Sequence, residues 1–483
     1  MLTPAMLTPA TSTPAISTPC VRFRWLIAVF GSAACFALVL ALIGCGRDDA
    51  VSPEDEPGEF SCTGITTFEE GKTPSVIIHV APDGNGDGSE ANPYGSLGSA
   101  ITHPEFGPGA AIRIHAGTYG GGNYLSSIRG TAESPIWIGG APGEAKPIFS
   151  DGAQALHLVR PAYLVLHDIE VTGATANGIN SDDGGDYGDD SAAHHIVFRG
   201  LNIHDVGTGG NNDGLKLSGL RDYWVLNSSF TSISAGSGID HVGCHHGVIA
   251  DNTFTDMGSN AIQCKGGSSD IEIRWNRFEN AGQRGVNIGG STGDEFFRPP
   301  LSTSAPNVEA RDIRVLANVF IGGVTPFAYV GAVDCVVAHN TIVDPTNWLF
   351  RILQETTSHG GFVFLETQSC TLTNNLFYFA RADLSPTDIN VGPNTQPQTY
   401  TLRNNLWYAH DTPSSSEPDY PVAEIDGIVG EDPGMSSPEA KDFQLLAGGA
   451  ADGAGALQSW ILGDIDGHCY TSPPSIGAYE IDL

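Results

Sequence analysis

The chain has 483 residues, of which 55 are acidic and 22 basic, giving a formal charge of −33. Such a surface repels nucleic acid and anionic membranes, so nucleic-acid binding is not expected, and a polyanionic ligand would need a local cationic or metal-bearing patch. Forty per cent of the residues are hydrophobic, enough for a large core, and only five are lysines: Lys72, Lys146, Lys216, Lys265 and Lys441.

The opening MLTPAMLTPATSTPAISTPC is rich in Pro and Thr and reads as disordered. Arg22 and Arg24 then precede the apolar run LIAVFGSAACFALVLALIG and Cys45. A basic flank, an apolar stretch and a small residue before cysteine form an export signal. LIGC resembles a bacterial lipobox. That resemblance implies that Cys45 is lipidated and anchors the mature chain, and Gly46 after it implies the Gram-negative outer membrane. A plain signal peptide or membrane anchor is the simpler alternative. Residues 46–72 read as a flexible tether and 73–483 as one mature domain, expected to be a monomer. Six cysteines lie beyond the leader, with no zinc-like spacing. Cys62 and Cys469, near opposite ends of the mature chain, can pair; Cys264, Cys335 and Cys370 sit on alternating patterns and read as core.

HVAPDGNGDGSEANPYGSLGSAI (79–101) suggests a strand, a loop and a small helix that caps the first turn of the fold. From about residue 160 a short motif recurs, as in NTFTD (252–256), NRFEN (276–280), NVFIG (318–322) and NLFYF (375–379), with closest spacings of 22–24 residues. That is the length of one bare coil of a parallel β-helix; longer spacings imply loop insertions. Asn precedes the motif's apolar pair at 252, 276, 318, 340, 375 and 405, where an inward stack can satisfy backbone groups of neighbouring coils. Period-two patterning, short strands and no long helical pattern indicate an all-β, single-stranded parallel β-helix, a solenoid with loop insertions. The segment SIGAYEIDL is expected to be a closing strand.

Each coil carries a second strand: GINSDD, GLKLSG, GIDHVG, AIQCKG and GVNIGG. Alternation turns their third residues outward, so Asn180, Lys216, Asp240, Gln263 and Asn287 should form one column. Asp182, Ser218, Val242, Lys265 and Gly289 should form another, and Asp213, Ser237, Asn260 and Arg284 precede the strands. Arg351 continues the face in FRILQE. This polar, amide-rich face suits a polysaccharide, acidic or neutral.

Asp182, Asp183, Asp213 and Asp240 offer hard oxygen ligands for Ca²⁺. Two chemistries use these residue types. In β-elimination on a uronate polymer, Lys216 or Lys265 serves as base and Arg284 clamps the carboxylate. Asn180, Asn260, Gln263, Asn287 and Arg351 would hold sugar groups. In glycoside hydrolysis, Asp213 and Asp240 form the carboxylate pair. A non-catalytic glycan-binding surface protein uses the same ladder. His241 occupies an inward position and reads as packing.

GSEANPYGSLGSAI, IRIHAGTY, GTAESPIWIGGAPGE, the coil repeats and the ending IGAYE resemble secreted right-handed parallel β-helix proteins of bacteria, within them the pectate lyase 9 and alginate lyase/chondroitinase B groups. The resemblance covers about residues 75–480. The first group implies a lysine base beside Ca²⁺-holding aspartates, parts that Lys216 with Asp182, Asp183, Asp213 and Asp240 could take. The second implies a lysine and an arginine on successive coils, which Lys265 and Arg284, 19 residues apart, resemble. Together they favour a polysaccharide lyase.

Overall fold

The computed structural model describes Cys62, residues 64–461 and residues 463–481, all within one compact unit. The segment expected to be an export signal, with Cys45, lies outside the described residues. Among the described residues no helix is long and apolar enough to cross a membrane.

Strands of mostly three to six residues wind in repeated coils. One coil runs through Ile239–Val242, His245–Ala250 and Thr253–Thr255, and Asn260–Lys265 opens the next. Apart from two antiparallel hairpins, Asn85–Ser89 with Asn92–Tyr94 and Met435–Ser437 with Asp442–Leu445, the strands pair in parallel with their counterparts one coil away, building sheets of 17, 12 and 10 strands. The result is a right-handed parallel β-helix, the hand that parallel crossovers take. Two buried columns hold it together. Phe230, Phe254, Phe278 and Phe320 stack with ring centroids 5.0, 5.0 and 4.5 Å apart. Beside them runs the asparagine ladder, in which each Oδ1 accepts the backbone N–H and Nδ2–H of the preceding asparagine at 2.9–3.0 Å, from Asn252 through Asn405. These buried amides are what the recurrent asparagine supplies. Ser228 closes one end, its N–H donating to Asn252, and Glu424 closes the other, accepting the Asn405 N–H at 3.0 Å.

Leu97–Ala100 forms the small helix, its N-terminus capped by the Ser96 hydroxyl. Cys62 and Cys469 are disulfide-bonded, and Cys244, Cys264, Cys335 and Cys370 are buried thiols. Two expectations change. Residues 64–72 are not a free tether: Glu69 pairs with Arg199 at 2.7 Å, and Phe68 packs edge-on against Tyr163. The segment thereby covers apolar rings that would otherwise face water. SIGAYEIDL forms no strand among its described residues. Its Ile476, Ala478 and Tyr479 fill a second core, and Ala478 N–H is satisfied by the Thr341 hydroxyl at 2.9 Å.

Candidate functional site

The 10-stranded sheet sets the register. Its outward column runs Tyr124, His157, Asn180, Lys216, Asp240, Gln263, Asn287, Ala328, Arg351 and Asn390. Asp182, Ser218, Val242 and Lys265 are likewise in register two residues along. Leu215 and Leu217 are fully buried on either side of Lys216, so alternation turns the lysine out of the core.

Lys216 is only partly exposed, at 23% of its side chain. Its ammonium donates to Asp213 Oδ2 at 3.1 Å and to Asp240 Oδ2. Lys265 Nζ lies 3.4 Å from the other oxygen of Asp240, so one carboxylate anchors both lysines. Asp213 and Asp240 are almost wholly buried beneath them, with 3% and 2% of their side chains exposed. The loop before the strand fixes Asp213, whose Oδ1 accepts the Ser237 N–H at 2.8 Å. Burial, and then the charge of Asp240, push the Asp213 carboxyl up to about 6, against the pull of Lys216. Burial acts on Asp240 in the same sense, but Lys216 and Lys265 overturn it and hold its carboxyl below the usual range. Burial lowers the Lys216 ammonium, yet Asp240 and Asp213 outweigh this and raise it above an ordinary lysine. Lys216 therefore keeps its proton at neutral pH. His241 is fully buried, pushed down to about 4 by burial, with Nδ1 3.0 Å from the Gln263 carbonyl. Burial on this scale fits the inward, packing position expected of it.

Both lysines open onto a cleft of about 530 Å³, together with Asn180 and Ser218. The acidic insert (Asp182, Asp183, Tyr187) forms one wall and the loop Ser291–Arg298, with the half-exposed Phe296, another. Arg298 joins the walls: its Nε and Nη2 grip both Asp183 oxygens at 2.5 and 3.0 Å, and its guanidinium lies 4.1 Å from the Tyr187 ring centroid. Glycines make room for this clasp. A Cβ on Gly219 would sit 2.1 Å from Asp183 Oδ2, and one on Gly243 would sit 2.4 Å from Arg298 Cβ.

The four aspartates expected to hold Ca²⁺ do not converge. Asp183 is taken by Arg298, and Asp213 and Asp240 by lysines. Asp182 accepts from Asn180 and lies 2.6 Å from His157 Nε2. Cationic and polar side chains already occupy the oxygens an ion would use, so these residues do not fit the ion. Among the described residues Asp464, Asp466 and His468 do form a cluster that could coordinate a divalent cation.

Nor does the register bring Lys265 to Arg284. Arg284 pairs with Asn260, at the start of the strand that Lys265 ends, so five residues, about 16 Å, separate them along the strand direction. Arg284 instead donates to Asn287 Oδ1 at 2.9 Å and to Glu355 Oε1 at 2.7 Å. Asn260 Nδ2 donates to Gln263 Oε1 at 3.2 Å, and Asn287 Nδ2 to the Gly289 carbonyl at 3.2 Å. Arg351 donates to Asn390 and lies over Trp348. The sequence reading missed Arg298, His157, Tyr187, Phe296 and Glu355. His157 was reachable by extending the column one coil back; the rest lie in loops without periodicity.

Residues 155–297 match the family model described as a right handed beta helix region. No curated protein matches. Among solved structures, the chain is similar to the pectate lyase Pel9A, at 17% identity over 85% of this chain and 98% of that one, with a TM-score of 0.55. An alginate lyase from Paenibacillus sp. str. FPU-7 has 17% identity, over 62% of this chain and 96% of that one, and a TM-score of 0.43. A GH136 lacto-N-biosidase from Eubacterium ramulus has 15% identity, over 68% and 67%, and a TM-score of 0.45. The likeness to the pectate lyase is one of fold: this chain is a right-handed parallel β-helix.

Proposed function

We propose that this protein is a carbohydrate-active enzyme that cleaves a uronate-containing polysaccharide by β-elimination in the lysine cleft. One observation carries the reading: Lys216 and Lys265 share the buried carboxylate of Asp240 and both open on the same cleft, in a chain with only five lysines. In such a reaction a base takes the C5 proton, the C4–C5 double bond forms, and the C4–oxygen bond breaks as the leaving oxygen takes a proton from water. Lys216, held protonated by two carboxylates, supplies the fixed positive charge that stabilises the carboxylate as it takes on enolate character. The proton-accepting role then falls to Lys265 as its neutral amine, the other lysine that opens on the cleft. Asn180 and Gln263, one rung to either side of the Lys216–Asp240 pair, are placed to hold hydroxyls.

Calcium has no step in this scheme. The Asp464–Asp466–His468 cluster shares no residue with the cleft, and its imidazole suits Ca²⁺ poorly, since that ion prefers oxygen ligands. In this reading the protein works as a monomer on an extracellular polysaccharide, lipid-anchored through Cys45 to the outer membrane.

Hydrolysis is the second reading. It is favoured by the divergent titration of Asp213, pushed up to about 6, and Asp240, held low, as an acid and its partner require. Lys216 covers both carboxylates, which counts against it. The test is a polysaccharide panel with and without chelator. Elimination gives the ultraviolet absorbance of an unsaturated uronate, lost in Lys265→Met and unaffected by chelation. New reducing ends without that absorbance would replace elimination by hydrolysis.

A further inference from the structure

The lysine cleft is not where the positive charge of this face is concentrated. Around it Lys216, Lys265 and Arg298 meet Asp182, Asp183, Asp213 and Asp240, three cations against four carboxylates. Five rungs along the same column, about 24 Å from Lys216, the balance reverses. There Arg351 is pinned by neutral groups: its Nε donates to Asn390 Oδ1 at 3.0 Å, and its guanidinium lies 4.2 Å from the Trp348 ring centroid. Among the described residues neither Nη nitrogen of Arg351 has a hydrogen-bond partner. Arg284 is close enough to repel it, and Glu355, itself paired with Arg284, is the carboxylate that offsets the two. Between Asn287 and Arg351 the column carries only the methyl group of Ala328. Two guanidiniums sharing one carboxylate, in a chain of charge −33, leave a cationic excess and an unused planar fork of donors. That fork matches a carboxylate, which arginine binds with two parallel hydrogen bonds.

We infer that Arg351 and Arg284 form a carboxylate-binding subsite for one uronate unit of the chain whose cleaved unit lies in the lysine cleft. This rests on the elimination reading and deepens it. The substrate is an acidic polymer, long enough to reach about 24 Å along the sheet, and neutral chains are discriminated against. Trp348 keeps the guanidinium flat and oriented, so Arg351 is not interchangeable with lysine.

The test is calorimetric binding of oligogalacturonate and oligomannuronate, each with its methyl ester, to the mature protein in a Lys265→Met background. At least one acid should bind more tightly than its ester. Arg351→Gln should weaken that acid about tenfold or more and leave the ester unchanged, with Arg351→Lys restoring only part. Equal binding of acid and ester, or unchanged acid binding in Arg351→Gln, overturns the subsite. The two readings fail separately. Arg351-dependent acid binding by a protein that forms no unsaturated product on any polymer keeps the subsite and removes the lyase. Unsaturated product formed with the same KM by Arg351→Gln as by the wild-type protein keeps the lyase and removes the subsite.

Discussion

Lys216→Met asks what the lysine between two aspartates is for. The substitution leaves Asp213 and Asp240, 3% and 2% exposed, facing each other without the ammonium they share. Breaking a buried pair by removing one partner costs about 3–5 kcal/mol when the charge left behind is uncompensated; here that charge is Asp213, since Lys265 still faces Asp240 at 3.4 Å. The structure adds a pH dependence. Burial and Asp240 already push Asp213 up to about 6 while Lys216 pulls it down, so without Lys216 its carboxyl moves higher still. A carboxyl whose folded pKa lies above its unfolded value binds its proton more tightly when folded. Its stability penalty is absent below the unfolded pKa and grows as pH rises towards the folded one. The variant should therefore be least stable, relative to wild type, at pH 8, and recover as pH falls towards 5. Adding Asp213→Asn should recover much of the loss at pH 8. Equilibrium urea unfolding measures this, with hydrogen exchange of Leu215–Ser218 and Ile239–Val242 as a local readout, since a solenoid can open coil by coil. A Lys216→Met protein as stable as wild type at pH 8, or a deficit independent of pH, would refute the caged-charge account.

Glu424, which closes the asparagine ladder, is pushed up to about 7 by burial against the donors of Asn405. Wild type should lose about 3 kcal/mol from this group as pH rises from 4.5 through 7. Glu424→Gln keeps an acceptor and should flatten that part of the urea-unfolding profile. Arg298→Ala orphans the buried Asp183 and should cost about 3–5 kcal/mol while loosening the cleft wall, read as faster exchange in 182–187. Gly243→Ala should weaken the same clasp by collision with the Arg298 side chain, with Asp183–Arg298 spectroscopic shifts as the measure. Replacing Cys62 and Cys469 by serine should cost about 2–5 kcal/mol in unfolding experiments, with no effect from reductant once both are gone.

What the sequence made legible was what repeats. A coil of 22–24 residues and a side-chain period of two place Lys216 beside Asp240, Gln263 beside Asn287, and the asparagines in one inward line, because each follows from counting along a strand and adding one coil. The same arithmetic separates Lys265 from Arg284. Asn260 and Arg284 are 24 residues apart and in register, so the residue one coil from Lys265 is position 289, and a separation of 19 falls short by most of a strand. A lysine and an arginine on successive coils meet only when whole coils separate them. The Asp183–Arg298 clasp spans 115 residues between two inserted loops, and no period connects them. Its trace in the sequence was indirect: Gly219 and Gly243 end successive strands with φ of 67° and 59°, a conformation glycine adopts freely, and their missing side chains leave the space that Arg298 fills. The expected calcium site failed for a related reason. Composition counts carboxylates but not the cations folded against them, and in this face every aspartate assigned to the ion had already found a lysine, an arginine or a histidine.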